Sequence, residues 1–153
     1  MTASARLEIR DFITLLPGLY DALAAVSKTA EEAGLSKELV ELVKIRASQI
    51  NGCAYCIQYH LNLARSVGVG MAKLDLLPAW REAPVYSQRE RAALMLTERL
   101  TQIAGHEVDD TEFAFARAEF SEKELAALLG AIGIINTWNR IGVTYRFTPP
   151  AAR

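Results

Sequence analysis

The chain has 153 residues, 51% of them hydrophobic, with 17 basic and 18 acidic side chains and a formal net charge of -1. A single domain of this size buries about 70% of its unfolded surface and needs no staples, and so apolar a composition argues against disorder over most of the length. The balanced charge offers no footprint for nucleic acid or an anionic membrane; with no signal-peptide core near the N-terminus and no apolar run of about 18 residues, a cytoplasmic protein is expected.

Taken in order, residues 1–17 form a mixed lead-in in which Leu7, Ile9, Phe12, Leu15 and Leu16 suit a short amphipathic segment that Pro17 interrupts. Leu19, Leu23 and Val26 then recur at helical spacing, and Gly34 stops that helix. Ser36 is a natural N-cap for a third helix carrying Leu39, Leu42, Val43 and Ile50. Asn51-Gly52 breaks this helix, and another follows with Cys53, Cys56, His60 and Leu63, ending near Gly68. A short helix over Met71–Leu77 ends at Pro78, and residues 79–86 read as a loop. Ser87 with Glu90 is a capping-box pattern opening a helix through about Ala104. Asp109, Asp110 and Thr111 are cap material for a helix near Glu112–Phe120. Ser121 with Glu124 opens a last helix that is apolar nearly all round, so it reads as buried. In it Gly130 and Gly133 would admit a close neighbour, and Asn136, Trp138, Asn139 and Arg140 form a polar cluster best read as tying it to neighbouring helices or to a second subunit. No alternating strand pattern occurs, so the expected class is all-α.

Cys53 and Cys56 are the only cysteines, spaced C-x-x-C, and His60 follows four residues after the second. In a reducing compartment such a pair is more often catalytic or metal-binding than a structural staple. On one helix, residues three, four and seven apart share a face. A first-turn position for Cys53 would stabilise its thiolate through the free N–H groups and the dipole, while His60 can take the proton of Cys56. Redox chemistry is the leading reading. A zinc site is the second, with Cys53, Cys56 and His60 as ligands and His106 or Glu41 as a distant fourth, and two inert buried thiols the third. Tyr55, Tyr59 and Trp80 could line a pocket, but aromatics at this spacing are more often core. Glu41 would stand about 18 Å from Cys53 on an unbroken helix, and reaches the thiols only if the chain reverses at Asn51-Gly52.

The spacing E-x11-C-x-x-C-x3-H over Glu41, Cys53, Cys56 and His60 resembles the core motif of the alkylhydroperoxidase D (AhpD)-like family, within the carboxymuconolactone decarboxylase-like superfamily. The flanks E-L-V-K-I-R-A-S-Q-I-N-G-C, L-P-A-W-R-E, S-x-R-E-R-A-A-L and N-x-W-N-R-I are similar to it too. The resemblance runs over residues 35–147, leaving 1–34 as a helical lead-in and 148–153 as a tail. It implies a single-domain, oligomer-forming helical fold and a thiol peroxidase site. There Cys56 meets the hydroperoxide, Cys53 resolves it, and Glu41 and His60 relay protons. The mechanism expected on this reading needs no cofactor beyond a redox-active Cys53–Cys56 disulfide, which an external dithiol reduces. Dipole reasoning, by contrast, makes Cys53 the more acidic thiol; His60 and the resemblance favour Cys56. The remaining alternatives are a non-enzymatic redox-responsive or zinc-stabilised assembly protein and a decarboxylase-like lyase on the same fold. The partners expected are a hydroperoxide, a dithiol reductant and further copies of the chain, with no nucleic acid and no membrane.

Overall fold

A computed structural model describes residues 4–153, so the first three residues of the lead-in lie outside the described residues. In chain order the helices are α1 (Ile9–Leu15), α2 (Pro17–Glu32), α3 (Lys37–Asn51), α4 (Ala54–Ser66), α5 (Met71–Leu76), α6 (Gln88–Thr101), α7 (Asp110–Glu119) and α8 (Glu122–Tyr145), with a 3-10 turn at Leu77–Ala79. Among the described residues there is no strand.

Side-chain caps set most helix starts. A first helical turn has free N–H groups, and a serine or aspartate just before it accepts one of them. Ser36 does so for α3. Ser87, Asp109 and Ser121 do so for α6, α7 and α8, and there Glu90, Glu112 and Glu124 reach back to the cap N–H to close full capping boxes. Pro17 starts a helix rather than merely interrupting one: it occupies the first turn of α2, where its missing N–H costs nothing. Helix α6 ends at Thr101, three residues before the expected Ala104, and the chain turns at Gly105, which has φ +85.

The centre of the molecule is α3. It packs against α4, α6 and α8, and its Leu42, Val43 and Ile45 are fully buried. Helix α2 packs against α8 as well. The N-terminal lead-in is docked on the end of α8: the Arg6 N–H donates to the Tyr145 carbonyl at 2.8 Å, and Phe12 packs among Trp138, Tyr145 and Phe147. The tail runs back along α4, where Asn62 donates to the Ala151 carbonyl at 2.8 Å.

Helix α8 departs from its expected burial. Leu125, Leu128, Ile132 and Ile135 face the core, but Ala126, Leu129, Gly133, Thr137, Arg140 and Val143 form an exposed stripe. The helices of one copy cover only part of its circumference. Gly130 and Gly133 admit no close neighbour within the chain, since a Cβ built on either meets nothing within 4 Å. The close approach occurs at Gly142 instead.

Candidate active site at the Cys53–Cys56 pair

The site depends on the reversal between α3 and α4. Gly52 ends α3 in the left-handed region, at φ 67 and ψ 29, a conformation that costs a side-chain-bearing residue. Asn51 is held by α8: its amide donates to Asn136 Oδ1 and to Asn139 Oδ1, both at 2.9 Å. Asn139 in turn donates to Ser48 Oγ at 2.9 Å, and Asn136 donates to Thr101 Oγ1 at 3.0 Å. Asn136 and Asn139 therefore tie α8 to α3 and α6, as buried amides require, whereas Arg140 is exposed and donates to Asn136 within α8, and Trp138 lines a cavity. The turn lays α4 back along α3.

That reversal brings Glu41, on the second turn of α3, to His60 on α4. Glu41 Oε2 and His60 Nδ1 are 2.7 Å apart, and both side chains are buried. A carboxylate only accepts, so the pair assigns the ring proton to Nδ1 and leaves Nε2 with its lone pair. Burial holds the His60 imidazole below its ordinary value of 6.5; the bond to Glu41 and its charge pull upward without overcoming it, and the Lys44 charge adds to the lowering.

Cys53 is the N-cap of α4, not a member of its first turn, and its Sγ accepts the Cys56 N–H at 3.3 Å. The two cysteines are joined in a disulfide. They do not share one exposure: Cys56 and His60 line a cavity of about 360 Å³, whereas Cys53 lies behind it against α8. Gly142 backs the pair there. A Cβ at that position would stand 2.8 Å from Cys53 Sγ and 3.3 Å from Cys56 Sγ, so only glycine fits without displacing the sulfurs.

The rest of the cavity wall is aromatic and aliphatic. Tyr20 of α2, Tyr55 and Tyr59 of α4, Trp138 of α8 and Phe147 enclose it with Ile13, Leu63, Ile134 and Ile135. Tyr55 and Tyr59 thus line the pocket rather than the core. Burial, then neighbouring phenols, raise both above the ordinary 10, so each keeps its O–H at neutral pH. Trp80 is core: it is buried and donates to Glu98 Oε1 at 2.8 Å. Sequence reasoning did not single out Gly142, Lys44, Tyr20 or the α1 wall; the turn from N-R-I into Gly142 gives no sign that two sulfurs lie across from it. His106 sits on the α6–α7 loop, lining a separate depression with Leu100 and Val108. Among the described residues, no three His, Cys, Asp or Glu side chains are grouped to hold a metal ion.

The chain thus presents a Cys-x-x-Cys disulfide and a Glu–His pair beside an apolar cavity on an all-helical, AhpD-like fold. The chain belongs to the carboxymuconolactone decarboxylase family, whose profile matches residues 17–99. It is 37% identical over 118 residues to the uncharacterized protein YdfG of Bacillus subtilis (strain 168), a match covering 77% of this chain and 80% of YdfG. It is similar to the crystal structure of a protein of unknown function from Agrobacterium tumefaciens, proposed to be the antioxidant defence protein AhpD. That match has a TM-score of 0.88 and 36% identity over 97% of this chain and 99% of that one. The debrominase Bmp8 shares the fold, with a TM-score of 0.80 and 21% identity over 91% of this chain and 75% of that one.

Proposed function

We propose that the protein is a thiol-dependent peroxidase that reduces organic hydroperoxides through Cys56 and Cys53. The observation that carries this reading is the division of the pair. Cys56 lines the cavity beside His60, and Cys53 lies behind it within bonding distance. In the reduced protein His60 Nε2 takes the Cys56 proton, and Glu41 holds the imidazole oriented and stabilises the charge it gains. The Cys56 thiolate attacks the terminal peroxide oxygen. An S–O bond forms, the O–O bond breaks, and the departing alkoxide takes the proton from His60 to leave as an alcohol. Cys53 then attacks the Cys56 sulfenic acid; the S–S bond forms and water leaves. The dithiol pair has supplied two electrons. An external dithiol returns two electrons and two protons by exchange, entering from the cavity at Cys56.

The dipole argument for Cys53 loses force on this geometry. Cys53 caps α4 and its sulfur accepts an N–H, but it does not line the cavity. A thiolate that substrate cannot meet is suited to resolving. The remaining readings separate cleanly. A zinc-stabilised assembly protein would carry near-stoichiometric zinc after purification, and a lyase would work without either cysteine.

The test is peroxide consumption with a panel of dithiols, comparing wild type with Cys56→Ser. Turnover by wild type that disappears in Cys56→Ser supports the reading. Equal rates in the two proteins, or no consumption of any organic hydroperoxide with any dithiol, would refute it.

A further inference from the structure

The cavity over Cys56 has a charge pattern that thiol chemistry does not use. Its walls are apolar and aromatic, yet Lys44 and Arg10 line it and no aspartate or glutamate does. The chain as a whole has 18 acids to 17 bases, so this selection is not compositional. Lys44 stands one turn beyond Glu41 on α3 and is half-buried. Glu41, one turn before it, is bonded to His60. Among the described residues the Lys44 ammonium has neither an ion-pair nor a hydrogen-bond partner. It lies close enough to His60 to act on the imidazole. Arg10 of α1 also lines the cavity, its side chain is largely exposed, and it has only a loose 3.9 Å contact to its neighbour Asp11.

An ammonium without a partner beside apolar walls can form a charge-assisted hydrogen bond to an anion that enters the cavity. We infer that this cavity binds an amphipathic anion, an apolar body bearing one carboxylate, and that Lys44 receives the carboxylate while Arg10 draws it in at the mouth. A volume of about 360 Å³ suits a small organic ligand, for which pockets of about 300–1,000 Å³ are usual. Resting on the peroxidase reading, the substrate class is then a carboxylate-bearing organic hydroperoxide, in preference to hydrogen peroxide or a neutral alkyl hydroperoxide.

The test separates this inference from the reading beneath it by measuring binding rather than turnover. Decanoate, decan-1-ol and decylammonium share one tail and differ in head charge. Calorimetric titration of the wild-type protein should give decanoate about tenfold tighter than decan-1-ol, which corresponds to one partly buried ion pair, and decylammonium no tighter than decan-1-ol. Lys44→Gln should bring decanoate to the level of the alcohol, and Lys44→Arg should restore the preference. Equal binding of the three ligands by wild type overturns the anion site, however active the enzyme. So does a decanoate preference that survives in Lys44→Gln. Head-group discrimination in a protein that consumes no hydroperoxide would sink the peroxidase reading and keep the site. The wild-type series needs no variant to fold.

Discussion

At the scale of single residues, the proton relay depends on which form of His60 prevails. Burial favours the neutral ring, so the base form persists below pH 6.5, the ordinary midpoint of the group. The acid limb of kcat/KM for a hydroperoxide should therefore fall below pH 6.5 rather than at it, and a stopped-flow pH series reads this directly. Glu41→Gln keeps the shape but replaces an acceptor-only carboxylate with an amide that cannot stabilise the imidazolium. A base contribution is worth about a hundredfold, so a loss of less than a few-fold would remove Glu41 from the relay. The roles of the sulfurs can be read by trapping. Cys53→Ser, given one equivalent of hydroperoxide, should accumulate a sulfenic acid on Cys56 that a dimedone-type probe labels, and Cys56→Ser should not label. The reverse pattern would assign the attack to Cys53 and show the cap outweighing the imidazole.

At the scale of elements, the α3–α4 reversal is held from outside by α8. Asn139 is buried, donates to Ser48 and accepts from Asn51. Asn139→Ala leaves the buried Ser48 hydroxyl without its donor and Asn51 with one acceptor fewer, which costs about 2 kcal/mol; urea denaturation at neutral pH measures it, and an unchanged midpoint would detach α8 from the turn. Gly142→Ala tests the other contact. The methyl would stand 2.8 Å from Cys53 Sγ, and overpacking of this kind costs about 1–3 kcal/mol. The oxidised protein should lose more stability than the reduced one, because only the disulfide fixes both sulfurs against the glycine. How much of this was legible follows from the range of each interaction. Caps at Ser36, Ser87, Asp109 and Ser121 are local, and the sequence displayed them. The Glu41–His60 bond was conditional on a turn, and Asn51-Gly52 has the chemistry for that turn. Gly142 and the α1 and α2 wall of the cavity were not legible. Their partners lie across the fold, and an apolar residue facing a cavity has the same periodicity as one facing a core. The same ambiguity put Tyr55 and Tyr59 on the core side of the expectation.

At the scale of the whole molecule, one copy leaves apolar surface in a particular place. Of the twelve large hydrophobics exposed among the described residues, five lie between residues 15 and 26: Leu15, Leu16, Leu19, Tyr20 and Val26. Scattered single residues would need no explanation, but a cluster on one segment marks a face that another surface covers. The exposed stripe of α8 offers a second, flatter face, with Leu129 and Val143 beside Gly133. We therefore propose a homo-oligomer, a dimer or larger, in which the α1–α2 segment is covered by another copy. The cavity gives this consequence for activity. Ile9, Ile13, Tyr20 and Ala24 belong to the same segment and form one wall of the pocket over Cys56. A segment covered on its outer side holds that wall in place; uncovered, it is anchored chiefly by α8 and by Phe12. Multi-angle light scattering at micromolar concentration should report more than one chain per particle. The pair of changes Leu15→Glu and Leu19→Glu places two like charges on the covered face. It should lower the mass toward a single chain and weaken ligand binding in the cavity, while circular dichroism stays unchanged. A wild-type protein that scatters as a monomer would sink the assembly, and a monomeric double variant with unchanged binding would sever the link between assembly and pocket.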